Sequence, residues 1–153
     1  MTRDQTAGIY GSLLITALIA VEWKHDVAID FVAGTLAASI AIFWLAHVWA
    51  RFINERIRGP LARRRALDLA ADEAPMLAAA ILPLTVLLAS HLGWYDTDTA
   101  IALALAVSIA QLFFWGLAVA RLAHDRWSLA IGVAFVDGGF GLAIVALKVA
   151  VFH

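Results

Sequence analysis

Five long apolar stretches limit what this chain can fold into more than any other feature. They cover residues 5–23, 27–50, 76–94, 99–120 and 127–152. About 20 mainly apolar residues are enough for one helix to cross the hydrocarbon core of a bilayer. We therefore expect an all-α membrane protein, a single transmembrane domain over residues 1–153 with five transmembrane helices.

Composition argues against the soluble alternatives. Hydrophobic residues make up 63% of the chain and charged residues 15%, whereas an ordinary soluble domain has about 45–50% and about 25%. The formal net charge of −1 gives no general basic field, so we expect no nucleic-acid partner. The chain has no cysteine, which excludes disulfides, thiolate nucleophiles and cysteine-ligated metals.

The arginines predict the orientation. If five helices alternate across the membrane, one side receives nine arginines and the other side only Lys24 and Lys148. The nine are Arg3, Arg51, Arg56, Arg58, Arg63, Arg64, Arg65, Arg121 and Arg126. Lys and Arg are enriched in cytoplasmic loops. The pattern therefore predicts a multi-pass protein of the cell (inner or plasma) membrane, N-terminus inside and C-terminus outside.

The long cytoplasmic connection has its own pattern. The second span is expected to continue as helix to about Ile57 and to break at Gly59 and Pro60. Residues 61–73 place Ala and Leu on one helical face and Arg elsewhere. That pattern is typical of a short helix on the inner leaflet, and a solvated basic loop is the alternative. Pro83 is expected to kink the third span or to free the carbonyl of Ala79.

Two parts of the sequence also resemble each other. With a shift of 69, Thr16 aligns with Thr85 and Ser39 with Ser108, and one residue later Arg51 aligns with Arg121. We interpret this as a duplicated two-helix hairpin, repeat 1 about 8–58 and repeat 2 about 76–126, with a closing helix at about 127–152. Two similar Ala- and Leu-rich spans without common origin are the alternative.

Asp137 is the most informative polar residue. It falls near the middle of the fifth span, next to Gly138, Gly139 and Gly141. A carboxylate at that depth costs about 2.5–3.5 kcal/mol, so it should face protein. We predict an ion or proton site with these partners at similar depth: Gln111, Ser39, Ser108, Thr16 and Thr85. The glycines would permit a partly unwound segment whose carbonyls coordinate an ion.

A structural interpretation of the same residues stays open. Asp137 would then be hydrogen-bonding glue, and small residues four apart would bring helices close together. Ala134 with Gly138, and Gly34 with Ala38, fit that spacing.

Other polar residues carry weaker hypotheses. His47 and Arg51, one helical turn apart, and Arg121 are predicted to meet lipid phosphate at the inner interface. Glu22, His25 and Asp26 are weak metal-ligand candidates because half of a Glu-x-x-His pattern is present. No phosphate loop or nucleophile motif occurs, so we expect neither an enzyme nor a cofactor.

Three short segments carry a family resemblance. They are YGSLLITAL at 10–18, AHVWAR at 46–51 and VALKV at 145–149. With these segments the chain resembles a family of small bacterial polytopic integral membrane proteins of uncharacterised activity. The resemblance implies a membrane bundle and no particular reaction.

The sequence favours two alternative functions. The first is ion or proton-coupled transport centred on Asp137, in a homo-oligomer or with a membrane-protein partner. The second is a non-catalytic accessory or scaffold subunit that binds another membrane protein through its Ala and Gly faces.

Overall fold

The protein is helical throughout the part that the structure describes. The structure is a computed structural model that describes residues 3–22, 28–60, 62–123 and 126–152. These residues form α1 (Arg3–Glu22), α2 (Ile29–Arg58), α3 (Arg63–Asp72), α4 (Ala74–His91), α5 (Thr97–Ala123) and α6 (Trp127–Phe152), and no strand occurs among them. The predicted all-α class is confirmed.

Among the described residues, four helical segments are long and apolar enough to cross a membrane. They are Ile29–Arg58, Arg63–His91, Thr97–Ala123 and Trp127–Val151. The apolar part of α1, Thr6–Glu22, is shorter. This architecture fits a multi-pass membrane protein.

The helix ends follow local signals in the sequence. As predicted, α2 ends at Arg58, and Gly59 has a φ of 155°, which favours glycine. The N-terminus of α5 is capped by Asp96, which accepts hydrogen bonds from the backbone N–H of Thr99 at 2.9 Å and from its hydroxyl at 2.7 Å. These two bonds lower the pKa of Asp96 because they stabilise the carboxylate form.

The predicted short helix after the second span is present as α3, and its apolar side is covered by protein. Leu69 is fully buried, and the indole N–H of Trp44 on α2 donates to the carbonyl of Ala70 at 3.3 Å. Arg63 and Arg64 are exposed. The helix therefore rests on the bundle through Leu69 and turns its arginines outward.

The first helix, α1, lies at the centre of the bundle. It packs against α4, α5 and α6 and more lightly against α2. Ile15, Ile19 and Ala20 are almost completely buried, and they join a core to which α2, α4 and α5 contribute Val32, Leu36, Ile40, Met76, Leu87, Ile101 and Ala104. The first helix of the chain is therefore the one that the other helices enclose most completely.

Two glycines let α1 lie close to its neighbours. A Cβ on Gly11 would lie 2.8 Å from the Met76 carbonyl oxygen and 2.9 Å from its Cα, so the backbones of α1 and α4 touch there. A Cβ on Gly8 would lie 2.8 Å from the Trp115 indole of α5. Small residues permit such close approach of helix backbones.

The closing helix lies at the edge of the bundle. It packs mainly against α5 and also against α1. Its buried positions are all small residues, Ala130, Ala134, Gly138 and Gly141. The predicted contact role of Ala134 and Gly138 is confirmed, since Gly138 faces Phe113 at 3.5 Å from its would-be Cβ.

One expectation about glycine is wrong, and the contact expected at Gly34 and Ala38 does not form within the described bundle. Helix α6 is continuous through Gly138, Gly139 and Gly141, so no unwound segment surrounds Asp137; a helix can satisfy its own backbone groups in an apolar setting, whereas free carbonyls cannot. Gly34 and Ala38 are exposed, and nothing in the described structure lies within 4 Å of a Cβ on Gly34.

The internal repeat stays a prediction. Helix α2 lies against α4 and α5 lies against α1. The aligned hydroxyls nevertheless differ in their surroundings, because Thr16 and Ser108 are buried while Thr85 is exposed and Ser39 is half-buried. The described contacts do not decide between duplication and two similar spans.

We predict that Gly11→Ala destabilises the fold because the new methyl group meets the Met76 backbone, which cannot rotate away. Overpacking of this kind costs about 1–3 kcal/mol. Thermal unfolding of the purified protein in detergent measures the loss. Gly34→Ala is the matched control and should keep or raise the melting temperature, since it adds a methyl group in open space; equal melting temperatures for the two variants would contradict the close crossing.

Candidate functional site

The carboxyl group of Asp137 lies in the contact between α5 and α6. A Cβ added to Gly116 on α5 would overlap Asp137 Oδ2 and would come within 2.9 Å of Asp137 Cβ and Cγ. Asp137 is half-buried. Its neighbours Phe135 and Val136 are 68% and 59% exposed. The acid is therefore directed across the α5 backbone at the rim of the bundle, while the adjacent apolar side chains face outward.

Gln111 provides a second polar group on α5. Within the described residues its Oε1 is buried without a hydrogen-bond donor. An unmatched buried acceptor costs about 1–3 kcal/mol. Gln111 precedes Gly116 by five residues, about 7–8 Å along the helix axis. It lies in the middle of the same helix as the Asp137 contact and outside its immediate surroundings.

The predicted hydroxyl partners are engaged elsewhere. Thr16 donates to the Ser12 carbonyl at 2.8 Å, Ser108 donates to the Ala104 carbonyl at 2.8 Å, and Thr85 donates to the Leu82 carbonyl at 2.7 Å. Each of these bonds stays within one helix. A hydroxyl has a single proton to donate, so none of the three donates to Asp137 in this structure.

The helices that carry Ser39 and Thr85 are also remote from Asp137. Ser39 lies on α2 and Thr85 on α4, whereas α6 packs on α5 and α1. The predicted six-residue set is therefore not assembled around one point. The structure places Asp137 against Gly116, with Gln111 further along the same helix.

A second polar cluster lies at the end of the bundle that carries α3. Arg51 Nη1 donates to Glu73 Oε1 at 2.7 Å, and Arg51 Nη2 donates to Asp72 Oδ2 at 3.0 Å. The Arg51 and Glu73 side chains are only 21% and 10% exposed. Charge-assisted pairs of this kind fix the two elements that carry them, here α2 and the turn between α3 and α4.

The sequence did not predict that Arg51 would pair with Asp72 and Glu73. Asp72 and Glu73 end a short basic helix, where acids usually only face solvent. One signal was available: two adjacent acids just before Pro75 opens the next helix. Arg51 was predicted to meet lipid phosphate, and such a contact would have to compete with both carboxylates.

An open pocket lies beside this ion pair. It has a volume of about 440 Å³ and is lined by Thr6, Ala7, Tyr10, His47, Arg51, Glu73 and Met76. The Tyr10 and His47 rings are 4.9 Å apart at 45°. Two residues that the sequence singled out, His47 and Arg51, are thus brought together with two that it did not, Tyr10 and Glu73.

The remaining candidates lie apart from both clusters. The Arg121 guanidinium stacks over the Trp127 ring at 4.1 Å, which joins the last turn of α5 to the first residue of α6. Glu22 ends α1, and His25 and Asp26 lie outside the described residues. No group of three His, Asp or Glu side chains in the described ranges could hold a metal ion. The metal hypothesis stays a prediction.

No protein-family model, curated protein or solved structure matches the chain. The resemblance to small bacterial membrane proteins therefore remains an expectation.

We predict that Gly116→Ala destabilises the contact between α5 and α6, because the added methyl group displaces the Asp137 side chain. Strain from overpacking costs about 1–3 kcal/mol. In an Asp137→Ala background the same change should cost less, since the carboxyl group has gone. Thermal unfolding of wild type, the two single variants and the double variant measures the coupling free energy between residues 116 and 137. Gly132→Ala, which meets nothing within 4 Å in the described structure, is the control, and strictly additive effects would refute the contact.

Arg51→Gln is predicted to destabilise the protein more than Arg65→Gln does. The first change leaves Glu73 and Asp72 without their cation, and breaking a buried pair costs about 3–5 kcal/mol. Arg65 forms a longer pair with Glu55 at 3.3 Å, with side chains 42% and 26% exposed, where about 0–1 kcal/mol is expected. Chemical unfolding in mixed micelles compares the two. Similar losses would mean that Arg51 does not tie α2 to the α3–α4 turn.

Proposed function

We propose that the chain is a multi-pass protein of the cell membrane in which α1, α2, α4, α5 and α6 cross the bilayer, with the N-terminus and α3 inside and the C-terminus outside. The arginine distribution supports this orientation, since Arg56, Arg58, Arg63 and Arg64 are exposed at one end of the bundle. Alternation of five helices then follows from their order.

The outer surface of the helices supports insertion into lipid. Large apolar side chains are exposed along α2 and α6, among them Phe31, Ile42, Leu45, Trp49, Phe135, Phe140, Leu142 and Leu147. Monomeric soluble proteins rarely expose contiguous apolar patches of more than a few hundred Å². In a bilayer these side chains would contact hydrocarbon instead of water, so their exposure would not cost free energy.

Labelling of single cysteines tests the topology, and the chain has no cysteine of its own. Asp68→Cys on α3 and Asp98→Cys at the start of α5 are both at exposed positions. A membrane-impermeant maleimide applied to intact cells should label Asp98→Cys alone. Asp68→Cys should react only after permeabilisation. The opposite order would reverse the orientation, and labelling of both in intact cells would contradict α4 as a crossing.

We propose further that the bundle conducts ion or proton-coupled transport with Asp137 as its protonatable group. The observation that carries the proposal is the carboxyl group itself, which lies against Gly116 between two crossing helices instead of extending away from the bundle. Ionisable groups at this depth are costly, and they are typical of ion pathways and proton relays. The half-buried position leaves one side of the group for a second copy or another membrane protein to cover.

The proposal places the pathway at the rim of the bundle instead of in its centre. The described core between α1, α2, α4 and α5 is apolar, and its buried hydroxyls are bonded within their own helices. A polar route along α6 would be completed by a second copy or another membrane protein. This is why we propose an oligomer or a membrane-protein partner for the transporting form.

The alternative is a non-transporting accessory or scaffold subunit. The apolar core of the described residues favours it, because apolar side chains offer no hydrogen bonds to an ion or to water. The exposed face of α6 would then bind the partner, and Asp137 would act as hydrogen-bonding glue between helices.

Flux in liposomes distinguishes the two functions. For transport, we expect proton or cation flux above the protein-free background for wild type, loss of most of that flux in Asp137→Asn, and partial retention in Asp137→Glu. Asp68→Asn, a change of an exposed acid on α3, is the charge-matched control and should behave as wild type. Background flux in wild type and Asp137→Asn alike, at equal reconstitution, would count against transport and favour the accessory subunit.

A further inference from the structure

The pocket beside Arg51 is built for a ligand that the transport proposal does not use. It opens between α1, α2 and the turn from α3 to α4, and its volume of about 440 Å³ lies within the range of small-molecule sites, about 300–1,000 Å³. It lies at the end of the bundle that carries the exposed arginines. Asp137 is not among its lining residues.

The ion pairs of Arg51 favour a cation at the pocket. Arg51 supplies one positive charge, and Glu73 and Asp72 supply two negative charges at 2.7 and 3.0 Å from it, so this cluster keeps one negative charge in excess. Glu55 and Arg65 neutralise each other. An anion would have to displace a carboxylate from Arg51, whereas a cation would complete the balance.

The hydrogen-bonding groups on the pocket wall are acceptors. Glu73 uses Oε1 to accept from Arg51. The second oxygen, Oε2, is not used by Arg51 and belongs to a residue that lines the pocket. A carboxylate oxygen can only accept.

The opposite wall offers two more groups suited to a cation. His47 Nδ1 lies 3.3 Å from the Phe43 carbonyl oxygen. In the neutral tautomer that donates this hydrogen bond, Nε2 is left as an acceptor. The Tyr10 ring, tilted against His47 and 39% exposed, presents a π face of the kind that attracts ammonium groups.

From this combination we propose that the pocket binds a primary ammonium group, with Glu73 Oε2 and His47 Nε2 as acceptors and the Tyr10 ring as the cation-attracting wall. A primary ammonium carries three N–H donors, which matches acceptors on two sides. Two sources share this chemistry: the ethanolamine head group of a membrane phospholipid, and a free small amine from the cytoplasmic side.

The test uses the full chain in nanodiscs and measures bound lipid by native mass spectrometry. We expect a phosphatidylethanolamine to be retained, phosphatidylglycerol not to be, and phosphatidylcholine to bind more weakly because its ammonium group has no N–H donor. Titration with ethanolamine in nanodiscs without ethanolamine lipid separates the sources. Binding of the free amine indicates a soluble ligand, and retention of the lipid alone indicates the head group.

Two variants connect the binding to the pocket. Glu73→Gln removes the accepting charge and should weaken binding about tenfold or more. Tyr10→Leu keeps the Arg51 pair intact and should weaken it about two- to fivefold, so the proposal stays testable if Glu73→Gln fails to fold. Asp68→Asn, outside the pocket lining, should bind as wild type. Equal retention of phosphatidylglycerol, no binding of either amine source, or wild-type binding in Tyr10→Leu would overturn the proposal, whatever the flux assay shows.

Discussion

The contact between the backbones of α1 and α4 at Gly11 and Met76 is the constraint on which the rest of the bundle depends. It exists because residue 11 has no side chain, and a Cβ there would lie 2.8 Å from a carbonyl oxygen. Once α1 and α4 touch, α5 can cover α1 through Trp115 on Gly8, and α2 can cover α4. In lipid, helices gain little from burying apolar surface against each other, so close packing of this kind supplies the cohesion.

The two informative charged sites are stabilised in different ways. Arg51 has two carboxylates at hydrogen-bonding distance, so its charge is balanced and its role in the fold is to join α2 to the α3–α4 turn. Asp137 has the Gly116 backbone against it, and none of the salt bridges among the described residues includes it. A balanced charge stabilises structure, whereas an acid without a cation beside it retains the capacity to exchange a proton. That difference is why transport is proposed at Asp137 and ligand binding at the pocket beside Arg51.

The helices were predictable because their signals are local. The apolar runs, Gly59 with Pro60, Asp96 before α5 and Pro75 at the start of α4 each act within one or two turns. The amphipathic pattern of α3 predicted the helix, whereas the burial of Leu69 against the bundle was not predicted. The glycines around Asp137 misled because glycine permits both unwinding and close packing; only the presence of α5 alongside decides that α6 stays helical and uses Gly138 and Gly141 as contacts.

The candidate sites likewise combine features that local sequence signals predict with features that depend on tertiary contacts. Thr16, Ser108 and Thr85 were grouped with Asp137 because they share its depth, yet depth does not say which way a side chain points, and each bonds to its own helix. By itself the sequence determined the helical class, the approximate positions of the apolar helices and the break after α2, and it singled out Asp137 and Arg51, because these follow from composition and short-range pattern. Only the tertiary structure decided that α1 is central, that Asp137 meets Gly116, and that Tyr10, His47, Arg51 and Glu73 surround one pocket. Such pairings depend on helix rotation and crossing, which are set by steric fit between residues far apart in the chain.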